Sequence, residues 1–148
     1  MVGDSWLAEG TGIPIRQGYL AFGPPASVRV RIQGVEANLN IKTNKVSALT
    51  RDEFEYAIPL SDADSLMAKS VQGHIIEKTR YPVDYRGHTW EVDVFHGANL
   101  GLVVAEIELT SEEQPFAKPP WIGAEVSHDP RYLNSHLARE PYSEWRIF

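Results

Sequence analysis

Val28-Arg29-Val30-Arg31-Ile32 (VRVRI) alternates three β-branched residues with two arginines. Successive side chains of a strand point to opposite faces, so this stretch presents one greasy face and one face carrying two permanent positive charges. The same pattern recurs on both sides of it. Upstream, Ile13 to Phe22 (IPIRQGYLAF) reads as a strand that Gly23-Pro24-Pro25 stops. Downstream, a hairpin turn at Gln33-Gly34-Val35-Glu36 leads into Ala37 to Thr43 (ANLNIKT), where Leu39 and Ile41 face one side and Asn40 and Lys42 the other.

Further along, Thr50 to Leu60 (TRDEFEYAIPL) sets Arg51, Glu53 and Glu55 against Phe54, Tyr56 and Ile58, and Pro59 closes it. Ser61 to Ser70 switches to a helix signature, with Ser61 and Asp64 as a capping-box-like start and Leu66, Met67 and Ser70 as an inner stripe. Three strands follow, His74 to Pro82, Thr89 to Phe95 and Gly101 to Leu109, the first two joined by a turn at Asp84 to His88. Their polar faces read Lys78 and Arg80, then Glu91 and Asp93, then Glu106 and Glu108. A proline-rich loop, Ser111 to Gly123, contains Trp121; Ser127 to Ala138 predicts a last helix, and the tail carries Tyr142, Trp145 and Phe148. Met1 to Gly10 gives a weak helical signal with Asp4 or Ser5 as cap.

With 148 residues and no break in composition, the chain predicts one domain spanning 1–148. The longest apolar run, Leu100 to Ile107, is too short for a membrane span, and the start shows no signal-peptide pattern. Zero cysteines exclude disulfides and thiolate metal sites and fit a cytoplasmic protein. A net charge of −6 argues against duplex nucleic acid as the main partner, while a local basic cluster can still hold a small anion. His74, His88, His96, His128 and His136 have no metal-ligand spacing, no glycine-rich phosphate loop is present, and Trp90, Trp121 and Trp145 read as packing outside a barrel.

Any one charged strand is most simply a solvated face with weak cross-strand ion pairs. Six such strands with sorted signs are different: Arg29, Arg31, Lys42, Lys78 and Arg80 are positive, and Glu53, Glu55, Glu91, Asp93, Glu106 and Glu108 negative. Hard cations such as Mg²⁺ share carboxylate ligands with substrate phosphates, while arginine forks and lysines hold the phosphates themselves. If the sheet curls into a barrel, these faces line one lumen. Periodicity leaves curled and open sheets equally allowed.

The succession VRVRI, NIK, TRDEFEY, IEKTRY, WEVDVF and GLVVAEIEL, then PPWIGAEVSHDPRYLNSHLA, resembles the CYTH superfamily, the triphosphate tunnel metalloenzymes, in its short bacterial form, from about Pro14 to Pro141. The resemblance implies a mainly β fold with flanking helices (α+β), an antiparallel β-barrel tunnel with helices packed outside. It implies metal-dependent hydrolysis of a triphosphate, inorganic or thiamine triphosphate among them, with Mg²⁺ or Mn²⁺ as cofactor. By position, Arg29, Arg31, Lys42 and Arg80 would contact phosphate, Glu53, Glu55, Asp93, Glu106 and Glu108 would serve the metal, and Lys78 with Tyr19 would activate the attacking water. Arginines crowding Lys78 would lower its pKa toward that of a useful base.

One departure stands out. The family opens with an E-x-E-x-K strand, whereas this sequence begins MVGDSWLAEG and has no lysine before Lys42, which points to N-terminal truncation or a mis-set start. A barrel short of one strand exposes two edges that invite pairing with another chain, a homodimer among the outcomes. Two other functions stay open: non-catalytic binding of a triphosphate or other organophosphate, and adenylate cyclase activity.

Overall fold

A computed structural model describes residues 12–23, 25–43, 52–107, 115–127 and 129–145. Seven strands form one antiparallel sheet: β1 Ile13–Ala21, β2 Ala26–Gln33, β3 Glu36–Thr43, β4 Glu53–Ile58, β5 Gln72–Tyr85, β6 His88–Phe95 and β7 Val103–Ile107. Their order is β4-β3-β2-β1-β5-β6-β7. The six strands that alternation predicted between Ile13 and Phe95 are all present, and β5 is longer than the predicted His74 to Pro82 at both ends. Strand β7 starts at Val103, because Gly101, with φ of 99°, belongs to the preceding turn. The expected helix at Met1 to Gly10, Arg51 on the fourth strand, Glu108 on the seventh and His128 lie outside the described residues.

The β2–β3 hairpin turns at Gly34 (φ 61°), and the β5–β6 hairpin turns at Arg86 and Gly87 (φ 45° and 85°), two successive left-handed residues of the kind that match a hairpin's twist. The greasy face of the VRVRI strand is covered by helix α1, Leu60–Lys69: Val30 and Ile32 pack against Ala63 and Met67, with Leu39, Ile58 and Leu66 around them. The capping box expected at Ser61 is absent. Pro59 occupies the N-cap position and its carbonyl accepts from Asp62 and Ala63, because the helix begins one residue before Ser61. On the same back face, Trp121 and Phe116 of the proline-rich loop cover Trp90, Val83 and Val92.

The C-terminal segment departs most from expectation. In place of one helix from Ser127 to Ala138, a 3₁₀ turn at Pro130–Tyr132, with Asp129 accepting from the Arg131 backbone N–H, precedes a short helix α2, Asn134–Arg139. Helix α2 is also not outside the sheet's charged face. Leu137 and Ala138 pack with Tyr19, Ile76, Phe95 and Leu102, and Trp145 joins that cluster through Tyr132 and Tyr142 instead of packing at the back with Trp90. No described helix is long and apolar enough to cross a membrane.

Gly73 makes the seat for α2. Its φ is +73°, and a Cβ there would be driven into the Ala138 carbonyl oxygen. Gly73→Ala combines a left-handed alanine with a backbone clash, so it is expected to lower stability by about 2–5 kcal/mol, read as a lower urea midpoint with an unchanged slope.

Candidate functional site: one charged face

Directly opposed residues of an antiparallel pair project to the same side of the sheet. The register therefore carries one face across all seven strands: Glu53 opposes Lys42 and Glu55 opposes Asn40; Asn40 opposes Arg29; Arg29 opposes Tyr19 and Arg31 opposes Gln17. Gln17 opposes Ile76, Ile15 opposes Lys78, Arg80 opposes Asp93, and Glu91 opposes Glu106. Every candidate within the described residues lies on this face. The other face carries the wet pair Arg16–Glu77, 3.6 Å apart and half exposed, an ordinary weak surface pair.

The centre of the charged face is dry. Lys78, Asp93, Asn40 and Gln17 are each 2% exposed or less. Lys78 Nζ lies 2.9 Å from Asp93 Oδ2 and donates to Asn134 Oδ1 of α2 at 3.3 Å, with the Phe95 ring 5.4 Å away. Arg80 grips the same carboxylate by a fork, Nε to Oδ1 at 2.8 Å and Nη2 to Oδ2 at 3.0 Å, and its Nη1 meets Glu91 at 3.2 Å. Asp93 thus has both oxygens engaged by cations.

The protonation equilibria follow from this. Burial is the largest influence on Lys78 and holds it below its ordinary value; Asp93 pulls it back up, while Arg80 and Arg31 push it further down. The arginine crowding expected from sequence is therefore secondary to desolvation. Burial alone would raise Asp93, but the hydrogen bonds from Arg80 and the charge of Lys78 outweigh it and hold the carboxyl below its usual range. Arg80 is raised, chiefly by its hydrogen bonds to Asp93.

Arg31 has a different environment. Its Nε donates to the neutral Gln17 Oε1 at 3.0 Å, and burial followed by the charges of Arg29 and Arg80 brings its pKa down to about 10. Arg29 Nε is buried without a partner among the described residues, as is Gln17 Nε2. Leaving a buried donor unmet costs about 1–3 kcal/mol, more for a charged group. Two such donors on neighbouring register positions mark a place built to meet an acceptor. Towards the β4 edge, Asn40 Nδ2 donates to Glu53 Oε1 at 3.0 Å, and Glu53, Glu55 and, on β7, Glu106 are exposed.

Tyr19 is 7% exposed, packed against the α2 cluster and stacked on Phe22 at 5.2 Å; no hydrogen bond joins it to Lys78. Two contributors were missed in the sequence. Gln17 shares the parity of Tyr19, a usable signal, whereas Asn134 is 56 positions from Lys78 and had none. For a metal, the donors on this face are oxygens alone, which suits a hard cation. Among the described residues no three acidic or histidine side chains stand close enough to hold one unaided. Such a cation takes one or two carboxylates and completes its shell from substrate phosphates and water, and the exposed Glu53, Glu55 and Glu106 are available for that.

The face thus combines a row of half-buried guanidiniums, a buried lysine and two unmet buried donors, on Arg29 and Gln17, the arrangement that suits a small, highly charged anion. The CYTH domain family pattern matches residues 4–138, so the chain belongs to the CYTH family. An inorganic triphosphatase of Acetivibrio thermocellus is 44% identical over 144 residues, covering 97% of this chain and 92% of that protein. One of Nitrosomonas europaea is 38% identical over 131 residues, covering 85% and 84%. The crystal structure of the inorganic triphosphatase NE1496 superposes with a TM-score of 0.70 at 36% identity, covering 88% of each chain.

Proposed function

We propose that the chain hydrolyses inorganic tripolyphosphate to pyrophosphate and orthophosphate inside a tunnel formed by curling of the seven-stranded sheet. The observation that carries this reading is the presence, on one face, of half-buried guanidinium groups that have no carboxylate partner among the described residues, Arg29 and Arg31, beside a buried lysine of lowered pKa. The names of the two relatives support the substrate. Curling is supported by Asn40, 2% exposed on a face that a flat sheet would leave wet.

In this reading Arg29, Arg31 and Lys42 hold the phosphate oxygens, since arginine forks match phosphate geometry. Arg80 orients Asp93, and Asp93 with Asn134 fixes the Lys78 amine. In its neutral form Lys78 takes a proton from water as the water oxygen attacks the terminal phosphorus and the bridging P–O bond breaks, the pyrophosphate leaving. Mg²⁺ or Mn²⁺ held by Glu53, Glu55 and Glu106 together with the substrate would neutralise phosphate charge.

The test is phosphate release from tripolyphosphate with Mg²⁺, with Mn²⁺ and with a chelator. Metal-dependent release is expected, rising with pH through an apparent pKa below the ordinary lysine value of 10.5, because desolvation favours neutral Lys78. Ligand-induced thermal stabilisation without turnover would replace this reading by a non-catalytic binder, and cyclic AMP formed from ATP by a cyclase.

A further inference from the structure

We infer that Gln17 is a positioning residue for the anion site: its neutral amide oxygen holds Arg31 through Nε alone, leaving the arginine its full charge and its outer pair of nitrogens for a phosphate group. This rests on the triphosphatase reading and deepens it. Arg80 and Arg31 are held in opposite ways. Arg80 gives Nε and Nη2 to Asp93 and Nη1 to Glu91, so two carboxylates cancel its charge locally. Among the described residues Arg31 gives only Nε, 3.0 Å from Gln17 Oε1.

The chemistry fixes the orientation of the amide. A guanidinium has donors and no acceptor, so the oxygen of Gln17 must face Arg31 and its amino group must face away. That amino group, Nε2, is fully buried and meets no acceptor among the described residues. Gln17 itself is 0% exposed, and the β1–β2 register sets it directly opposite Arg31. An aliphatic residue would fill the same space without an orphaned donor. A glutamate would bind Arg31 more strongly, yet would neutralise the charge that the anion needs. Only a neutral acceptor of this length orients the arginine and leaves it charged.

Gln17→Glu and Gln17→Leu in the full chain separate this role from packing. For Gln17→Glu the ligand-free melting temperature is expected to equal or exceed the parent's, while the tripolyphosphate Kd and KM rise roughly ten- to hundredfold and kcat changes less than about threefold. Gln17→Leu is expected to stay folded and raise KM by a smaller factor. In an Arg31→Ala background Gln17→Leu, which adds no charge, should add no further loss, since its effect runs through that arginine.

Affinity within about twofold of the parent in the glutamate variant, or Gln17→Leu losses that add to those of Arg31→Ala, would overturn the role. Should Gln17→Glu lower the melting temperature, Gln17→Leu decides, and an unchanged KM there overturns it. A parent chain that neither binds nor cleaves tripolyphosphate brings down both this inference and the reading beneath it; a parent that does, with variants that bind equally well, brings down only this one.

Discussion

Lys78→Met is expected to fold and to be inactive. The ammonium is wholly enclosed, so its removal relieves a desolvation cost, and Asp93 is left with the two hydrogen bonds from Arg80 as partners. The melting temperature should therefore move by only a few degrees, whereas loss of a general base costs roughly 10²–10⁴-fold in kcat. Lys78→Arg should not restore activity, because a guanidinium stays protonated and does not fit a site shaped by Phe95 and Asn134. Kinetics on tripolyphosphate and a thermal melt on each variant suffice. Near-parental kcat in either variant would take Lys78 out of the chemistry.

Asp93→Ala should do the reverse and damage the fold first. It removes the one carboxylate that two buried cations share, and breaking a buried pair costs about 3–5 kcal/mol because the abandoned charge stays desolvated. For a chain of this length that amounts to a fall of roughly 10–15 °C in melting temperature. The pH dependence has a definite sign. Asp93 titrates below its ordinary value of 3.8 in the folded chain, so its contribution is complete above that pH and is lost as the pH falls through the lower, folded value. Asp93→Asn should flatten that acid limb of a stability profile. A melting temperature within about 3 °C of the parent in Asp93→Ala would show that the carboxylate is not the keystone of the face.

The contrast between these two residues bears on the roles that position in a strand can suggest. Asp93 stood in the sequence among prospective metal ligands, and the structure places both its oxygens against cations. Arg80 stood among phosphate ligands, and three of its nitrogens meet carboxylates. Equal spacing gave Arg29, Arg31, Lys78 and Arg80 equal status. Only the side-chain partners distinguish a cation already paired with carboxylates, Arg80, from one held by a neutral amide, Arg31.

What the sequence determined by itself was the strand inventory and the sorting of charge. Alternation with period two is a local property, dictated by backbone geometry, and it set Arg29 with Arg31, Glu53 with Glu55, Lys78 with Arg80 and Glu91 with Asp93 on one face of each strand; the register then joined those faces into one. The greasy half of VRVRI likewise required a cover, and α1 supplies it. Tertiary structure alone decided what covers the charged half. Helix α2 lies against Tyr19, Ile76 and Phe95 and brings Asn134 to Lys78 because Gly73 opens a space for its backbone, a contact between segments with no common periodicity. Burial, which sets the Lys78 pKa and leaves Gln17 with one bonded and one orphaned end, comes from all seven strands and that helix together. No local spacing encodes it, since desolvation depends on everything that surrounds a group and not on its neighbours in the chain.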